Sequence, residues 1–405
     1  MPTKSSKPVP VAGRVNRFSY AIRNIVTEAK AVEARGQKVR YLNIGDPVAF
    51  GFHTPAHLVE TVAKAIRDGH NGYVPSAGIP EARDAVAADY TARGIAASPD
   101  RVLITTGTSE GIELALNALV NEGEEVLVPS PTYPLYTAVL AKISAQPRYY
   151  RTDPEHDWLP DLDHLRTLVT SKTRVLVVID PNNPTGAVYP APVRRALIDF
   201  AERHDLTILA DEVYGDVAYS GPLPLMGTLD LDAPIISFSS LSKAYLAPGW
   251  RAGWLVAGRT PRLDDTVAAM KKLADGRLCS PGPMQYAVAA ALTGDRSHQV
   301  AFRTALAERA RITTERLNAI PGMRCVAPRA AFYALPQISL PQGHTDEQFV
   351  LSLLRETGIL CVNGSGFGVP AGEGFFRIVF LANPHDLEKI YTDIAGFTRE
   401  YLARG

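Results

Sequence analysis

The sequence contains little cysteine and has no excess of charge of either sign. Its 405 residues include three cysteines, and Lys plus Arg and Asp plus Glu both total 42. An odd number of widely spaced cysteines argues against a disulfide framework or a zinc site, and it fits the reducing cytoplasm. Proteins that bind nucleic acid usually carry a basic excess, which is missing here. We therefore expect a cytoplasmic protein without a metal site or a nucleic-acid partner.

Long apolar runs are missing as well. No stretch approaches the roughly 18 consecutive apolar residues that a transmembrane helix needs. The first residues, MPTKSSKPVPVAG, are polar and lack the apolar core of a signal peptide. We interpret residues 1–13 as a flexible N-terminal arm, and we expect no association with a membrane.

Short apolar runs alternate with helical patterns through most of the chain. Strand candidates lie at 101–105, 125–128, 175–180, 207–210, 234–238 and 254–257, with helix candidates at 110–121, 135–143 and 192–204. Such alternation is typical of an α/β domain with a mostly parallel sheet. We predict a large domain at 51–283 whose seven-stranded sheet is covered by helices.

The last third of the chain has a different pattern. Helices are predicted at 298–317, 346–357 and 385–401, and short strands at 323–326, 331–335 and 377–380. Helices packed on a small antiparallel sheet would form a second, smaller α+β domain at 284–405. The N-terminal segment 14–50, with a helix over 22–34, is expected to join that domain.

Reactive side chains follow several predicted strands directly, where ligands bind in open α/β sheets. Lys243 comes soon after one strand, and a lysine in a site forms a Schiff base with an aldehyde cofactor. Ser240 and Arg251 flank it, and a hydroxyl with a guanidinium binds phosphate well. This segment therefore offers both an aldehyde partner and a phosphate site, although an isolated SxSK is also compatible with a surface loop.

Two further strand ends carry polar groups. Asp211, in LADEVY, can keep a pyridine nitrogen protonated, and Tyr214 can hydrogen-bond an oxygen on the same ring. Asn183, in DPNNPTG, can donate its amide to that oxygen. Taken singly, Asp211 is also compatible with a helix cap and Asn183 with a plain turn.

The string TTGTSEG places a strand, a turn and a helix start in succession. The free N–H groups of a helix start attract phosphate, and Thr108 and Ser109 would lie there. The same string matches G-x-S-x-G, the nucleophile elbow of α/β serine hydrolases, so Ser109 is also a candidate nucleophile. No oxyanion motif of the HGGG type precedes it, which argues against the hydrolase.

In order, the motifs are G-T-S, N-P-T-G, D-x-x-Y and S-x-x-K, with an arginine eight residues later. This combination resembles the fold type I, class I aminotransferases, the aspartate-aminotransferase-like superfamily, over about residues 20–401. Within that family the chain looks closest to the bacterial alanine aminotransferases. The strings that carry this likeness are LNIGDPVAFGF, SPTYPLYTA, DPNNPTGAVY, LADEVY, LSKAY and RLCSPGPMQ.

The resemblance implies a pyridoxal 5′-phosphate cofactor held covalently by Lys243, which also moves a proton during catalysis. Asp211 would pair with the pyridine nitrogen, and Asn183 and Tyr214 would bind the ring oxygen. Tyr133 would stack on the ring face. The phosphate would be held by Thr108, Ser109, Ser240 and Arg251. Tyr73 would reach the cofactor phosphate from the neighbouring subunit of a homodimer.

The resemblance also implies how an amino acid and a 2-oxo acid would bind. Arg377, in FFRIVF, would bind the substrate α-carboxylate, and the backbone of Gly45 would contact the same group. Tyr20 and Arg23 would lie on a helix over the substrate pocket. Arg277 lies near a position where aspartate enzymes carry a second cation, so its role stays open at this point.

The expected activity is amino-group transfer from a small amino acid, best L-alanine, to a 2-oxo acid by a ping-pong mechanism. APGWR and SFSS depart from the usual alanine-enzyme strings VAGYR and FNG, which bears on the substrate more than on the cofactor. The same residues would also serve a pyridoxal-phosphate-dependent lyase, decarboxylase or cyclising synthase, because one fold hosts several chemistries. The serine hydrolase that uses Ser109 is the distant alternative.

Overall fold

The computed structural model describes residues 9–17 and 21–404, with the backbone alone described at 16, 17 and 21–24. The arm predicted at 1–13 therefore lies mostly outside the described residues. The α-helices are α1 Ala21–Glu33, α2 Ala56–Arg67, α3 Pro80–Ala92, α4 Thr108–Leu119, α5 Pro134–Lys142, α6 Leu162–Thr167, α7 Ala191–Arg203, α8 Asp264–Gly276, α9 Gly282–Thr293, α10 Ser297–Asn318, α11 Asp346–Thr357 and α12 Pro384–Ala403.

Fifteen strands are present in the described part of the chain. They are β1 Arg40–Tyr41, β2 Val102–Thr106, β3 Glu125–Ser130, β4 Gln146–Asp153, β5 Leu159–Pro160, β6 Thr173–Ile179, β7 Thr207–Asp211, β8 Ile235–Ser240, β9 Ala252–Ala257, β10 Met323–Arg324, β11 Tyr333–Ala334, β12 Gln337–Ile338, β13 Ile359–Leu360, β14 Val362–Asn363 and β15 Phe376–Val379.

The large sheet has the strand order β2-β9-β8-β7-β6-β3-β4-β5. The five central strands, β8, β7, β6, β3 and β4, are parallel, whereas β9 runs antiparallel to both β2 and β8. Seven strands have five or more residues, and β5 adds a two-residue strand at one edge. The predicted mixed α/β class with a mostly parallel, helix-covered sheet is confirmed.

Both faces of the large sheet are buried, which explains the continuous apolar runs of its central strands. Alternate residues of one strand enter different cores: Val126 and Val128 pack in one cluster, and Leu127 packs in the other. Helices α4, α5 and α8 contribute to the first cluster and α7 to the second. This two-sided burial fixes the strand ends that carry the candidate site.

The C-terminal part contains short sheets packed against long helices. Strand β15 lies between β11 and β14, antiparallel to both, and β1 pairs in parallel with β13. Helix α11 begins with a complete capping box, in which Thr345 and Gln348 satisfy each other's backbone N–H groups. Among the described helices, none is long and apolar enough to cross a membrane.

Candidate active site

The predicted site residues follow strands that end at the same edge of the large sheet. Strands β6, β7 and β8 are parallel, and β2 points the same way because β9 is antiparallel to both β2 and β8. Asp211 ends β7 and Ser240 ends β8, while Thr108 and Asn183 follow β2 and β6. The topology therefore gathers side chains that are far apart in the sequence.

One end of this edge is built to hold an anion. Helix α4 begins at Thr108 without a side-chain cap, which leaves the N–H groups of Thr108 and Ser109 without intrahelical partners. The Arg251 guanidinium packs beside Gly107 and donates to Thr106 O at 3.1 Å and Pro248 O at 3.0 Å. The buried Oγ1 of Thr108 has no hydrogen-bond partner among the described residues.

Asp211 lies at the centre of the edge and is almost fully buried, with 4% of its surface exposed. Its carboxylate accepts hydrogen bonds from Tyr136 Oη at 3.2 Å and from Val213 N at 3.4 Å. Burial raises the pKa of Asp211 to about 6, although these hydrogen bonds and Lys243 act in the opposite direction. A buried carboxylate of this kind favours a cationic ring nitrogen beside it.

Lys243 meets the N-terminal segment of the chain at this edge. Its Nζ donates to Gly45 O at 2.9 Å and lies 5.4 Å from the ring centre of Phe332 and 6.0 Å from that of Tyr214. Two aromatic rings therefore lie beside an amine that is only partly buried. Gly45 has no room for a side chain, because a Cβ atom there would lie 2.1 Å from Tyr333 Oη.

Arg377 lies on strand β15, in the C-terminal part of the chain, and is buried against two aromatic rings. Its guanidinium carbon is 4.7 Å from the Tyr333 ring centre and 4.8 Å from that of Phe367. The same group donates to Asn183 Oδ1 at 3.1 Å and to the backbone carbonyl of Asn43. The substrate arginine predicted from the sequence is thus brought beside Asn183.

Three residues of this site were missed in the sequence: Tyr136, Tyr333 and Asn43. Tyr136 lies in the same helix as the predicted Tyr133, which is half-buried at the helix N-cap, so the string SPTYPLY contained a signal for it. Tyr333 hydrogen-bonds Tyr214 through their hydroxyls at 2.9 Å. No pattern in the sequence indicates that contact, because Tyr214 lies in the turn after β7 and Tyr333 lies on β11, far away in the chain.

Arg277 is held by groups of its own chain. Its guanidinium donates to Glu110 Oε1 at 2.8 Å, to Ser76 O at 2.9 Å and to Ile104 O at 3.0 Å. The second carboxylate oxygen of Glu110 accepts from Thr106 N at 2.7 Å. Arg277 therefore connects the start of α4 with the segment that carries Tyr73.

Three other predicted residues lie apart from this cluster or beyond the description. Tyr73 is 87% exposed, unlike the buried groups above. Tyr20 lies outside the described residues, and so does the side chain of Arg23. Their predicted substrate contacts therefore stay predictions.

The arrangement fits pyridoxal 5′-phosphate, the cofactor implied by the resemblance. An uncapped helix start, Arg251 and an unpartnered Thr108 hydroxyl suit its phosphate, and buried Asp211 suits its ring nitrogen. Lys243 supplies the amine that reacts with its aldehyde. Among the described residues, no group of three or more His, Cys, Asp and Glu side chains is arranged to hold a metal ion.

Ser109 lacks the setting of a hydrolase nucleophile. It is the second residue of α4, and it is not among the described residues with a positive φ. A nucleophile elbow instead holds its serine in a strained turn between strand and helix. The geometry at this helix start favours an anion site over a serine nucleophile.

Known proteins with related sequences match nearly the whole chain. Glutamate-pyruvate aminotransferase AlaA of Escherichia coli is 36% identical over 402 residues, covering 97% of this chain and 99% of the relative. The alanine aminotransferase of Mycobacterium tuberculosis is 37% identical over 394 residues, covering 94% and 91%.

Solved structures agree with this likeness. An alanine aminotransferase from Pyrococcus furiosus superposes with a TM-score of 0.94 at 38% identity, covering 96% of this chain and all of that one. Aspartate aminotransferase from Thermus thermophilus gives 0.87 at 28% identity, covering 96% and 100%. Residues 38–393 match the family of class I and II aminotransferases. The chain belongs to that family, and it is a pyridoxal-phosphate-dependent aminotransferase of fold type I.

Proposed function

We propose that this aminotransferase takes the amino group of a small amino acid, L-alanine, and passes it to a 2-oxo acid in a ping-pong exchange. The names of its relatives in Escherichia coli and Mycobacterium tuberculosis support alanine, pyruvate and glutamate as substrates. Arg277 is already bound to Glu110, which disfavours it as a free cation for a second substrate carboxylate within its own subunit.

One observation carries this proposal. The backbone carbonyl of Asn43 accepts from Arg377, and that of Gly45 accepts from Lys243. A three-residue segment thus links the guanidinium suited to a carboxylate with the amine suited to proton transfer. An α-amino acid presents its carboxylate and its Cα–H on adjacent atoms, so it fits between these two groups.

Four residues are proposed to hold the cofactor phosphate. Thr108 and Ser109 would offer the N–H groups and hydroxyls of the first turn of α4. Ser240, at the end of β8, and Arg251, just before β9, would complete the site at the same edge of the sheet. Arg251 suits this role because its guanidinium already lies beside Gly107, where the helix begins.

Four others are proposed to hold the ring. Asp211 would keep the pyridine nitrogen protonated, Asn183 and Tyr214 would donate to the ring oxygen, and Tyr133 would stack on the ring face. When bound, the cofactor supplies an electron sink for the pair released as the substrate Cα–H bond breaks. A carboxylate beside the ring nitrogen keeps that nitrogen protonated and so maintains the ability of the ring to accept electrons.

Catalysis would then depend on two positioned groups. Arg377 would bind the α-carboxylate through its planar fork, with the backbone of Gly45 beside it, and so orient the Cα–H bond. Lys243 Nζ would accept the proton from Cα of the substrate and then donate it to a carbon atom of the cofactor on the same face. Tyr20 and Arg23 are proposed, on the family resemblance alone, to cover the substrate side chain.

We further propose a homodimer in which Tyr73 reaches the cofactor phosphate of the neighbouring subunit. Its 87% exposure supports this, because a tyrosine left so exposed in a single subunit has an apolar ring to bury. The division into a large domain at 51–283 and a small domain formed by 14–50 and 284–405 is also proposed. Pairing of β1 with β13 supports the joining of the two chain ends. A cytoplasmic location is inferred from the three unpaired cysteines.

The proposal is tested by absorbance of the purified, cofactor-loaded protein. Addition of L-alanine should bleach the yellow band, and pyruvate should restore it. A coupled lactate dehydrogenase assay with L-alanine and 2-oxoglutarate should then detect steady formation of pyruvate.

Lys243→Ala provides the control, because it removes the amine while Asp211 and Arg251 remain. It should keep the parental fold by circular dichroism and lose the alanine-dependent turnover. A parental protein that bleaches with alanine yet is not restored by any 2-oxo acid would refute transamination and favour a lyase or decarboxylase. Bleaching by other amino acids but not by alanine would replace the substrate.

A further inference from the structure

Tyr333 touches both halves of the site, although no substrate or cofactor role is assigned to it above. It lies on β11, is buried with 3% of its surface exposed, and pairs with Val379 of β15. Its hydroxyl oxygen is 2.9 Å from that of Tyr214, and its ring face lies 4.7 Å from the guanidinium carbon of Arg377. One side chain therefore connects the ring-oxygen side with the carboxylate side.

The direction of the hydroxyl contact follows from the number of protons available. Each phenol carries one proton, and Tyr214 is proposed to donate its proton to the oxygen of the cofactor ring. The oxygen of Tyr214 is then an acceptor, so Tyr333 has to be the donor across the 2.9 Å contact. A donor behind Tyr214 polarises it and strengthens the hydrogen bond that Tyr214 donates in turn.

The ring of Tyr333 acts on Arg377 by a separate contact. This ring and that of Phe367 both lie against the guanidinium, which donates to Asn183 Oδ1 and to the backbone carbonyl of Asn43. The ring is itself fixed by its close approach to Gly45. The plane of the guanidinium is thereby set before a substrate arrives.

We propose that Tyr333 is a positioning residue with two separable parts: its hydroxyl tunes Tyr214, and its ring orients Arg377. The inference rests on the proposed roles of Tyr214 and Arg377. It is tested with two variants, because Tyr333→Phe removes only the hydroxyl, whereas Tyr333→Leu removes the ring as well.

The first readout is the pH midpoint of the absorbance change of the bound cofactor, which needs no turnover. A weaker hydrogen bond to the ring oxygen leaves more negative charge there, and that charge retains a neighbouring proton to higher pH. Tyr333→Phe should therefore raise the midpoint by about 0.5 unit. The KM for L-alanine should stay within about twofold, because the ring over Arg377 remains.

The second readout separates the ring from the hydroxyl. Tyr333→Leu should show the same midpoint shift and, in addition, raise the KM for L-alanine about tenfold, because Arg377 loses one covering face. Equal KM values in the two variants would overturn the role of the ring, and an unchanged midpoint in Tyr333→Phe would overturn the role of the hydroxyl.

Tyr219→Phe is the matched control. It removes a nearby tyrosine hydroxyl that donates to Ala331 O at 2.9 Å but contacts neither Tyr214 nor Arg377. It should lower the unfolding temperature while leaving the midpoint and the KM unchanged. A midpoint shift in this control as large as in Tyr333→Phe would show that general loosening, not the hydroxyl of Tyr333, is the cause. If the parent protein fails to transaminate alanine, the substrate proposal fails, the midpoint comparison still decides the role of the hydroxyl, and the KM comparison is made with whichever amino acid bleaches the cofactor band.

Discussion

At the scale of single residues, the site combines the buried carboxyl group of Asp211 with two basic side chains, Lys243 and Arg377, that each donate to a backbone carbonyl. Asp211 has its pKa raised by burial, and Tyr136 and Val213 satisfy its oxygens. Such a group keeps its proton to higher pH in the cofactor-free protein, and a cationic partner beside it favours release of that proton to water. The pH at which Asp211 ionises therefore shows whether the cofactor ring is bound.

We expect Asp211→Asn to change how the stability of the cofactor-free protein depends on pH. The folded pKa of about 6 exceeds the ordinary value of 3.8, so the stability that this group contributes is complete below the ordinary value. It is lost as the pH rises through the folded pKa. Relative to Asp211→Asn, the cofactor-free parent should lose stability between about pH 4 and about pH 7, measured by urea unfolding at each pH.

The cofactor-loaded protein is the comparison for this titration. A protonated ring nitrogen beside the carboxylate lowers the pKa of Asp211, so the loss of stability should vanish or change sign. A difference between parent and variant that is independent of pH in the cofactor-free protein would contradict the assignment.

Residues that directly follow apolar strands were predictable, because strand ends of an α/β sheet converge. Lys243, Asp211 and Asn183 were identified from such strings, and the structure gathers them at one edge. Tyr333 and Asn43 were not, because their contacts depend on how the C-terminal strands pack on the large sheet. No local pattern encodes a hydroxyl that meets another tyrosine more than 100 residues away.

At the scale of elements, the anion site depends on how closely β9 approaches the start of α4. A Cβ atom on Gly253 would lie 2.7 Å from the carbonyl carbon of Gly107 and 2.8 Å from Thr108 N. These are backbone atoms, so a side chain at this position would have to displace the helix start. Gly253 is required here by space, since no positive φ is recorded for it.

Gly253→Ala should therefore weaken cofactor binding more than it weakens the fold. A shift of the first turn of α4 moves its N–H groups away from the phosphate, and we expect affinity for pyridoxal 5′-phosphate to fall at least about tenfold. The affinity is measured by titrating the cofactor-free protein and following absorbance.

Gly396→Ala serves as its control, because a Cβ atom on that residue of α12 meets nothing within 4 Å. This variant should bind the cofactor as the parent does. If Gly253→Ala also retains parental affinity, the helix start tolerates displacement and the anion site lies elsewhere.

Among the elements, the long helices of the C-terminal part were predicted closely, and some polar or very short strands were missed. Helix α11 was predicted with the bounds Asp346–Thr357, which the structure reproduces. Strand β4 was missed because its residues, QPRYYRTD, are largely polar and lie near the edge of the sheet. The two-residue strands, such as β13 and β14, are too short to carry an alternation.

At the scale of the whole molecule, the proposed homodimer makes each active site depend on two chains. Tyr73 is exposed, and its segment is tied by Arg277 to the start of α4. Ser76 and Asp275 are hydrogen-bonded as well, so this segment has a defined place on the surface. A side chain held in this way is suited to act on a neighbouring subunit.

Mixing two defective variants should restore activity if Tyr73 acts across the interface. In a heterodimer of Tyr73→Ala and Lys243→Ala, one site has both the lysine and the partner's tyrosine. Random assembly gives half heterodimers with one intact site of two, so we expect about a quarter of the parental alanine–2-oxoglutarate activity. The assay uses co-expressed, differently tagged chains at limiting cofactor.

Each variant alone is the control, with Tyr73→Ala weak at limiting cofactor and Lys243→Ala inactive. Activity in the mixture equal to the mean of the separate variants would place Tyr73 in its own subunit's site or outside both sites.

The pairing of β1 with β13 also has a consequence for the order in which the protein is made. Arg40 pairs with Ile359, and backbone carbonyls of the segment that follows Arg40 accept hydrogen bonds from Lys243 and Arg377. A ribosome releases the N-terminal segment first, and the large sheet can form while that segment has no partner. The carboxylate site closes only when β15 has been synthesised, so a nascent chain can acquire a pocket for the cofactor before it can hold an amino acid.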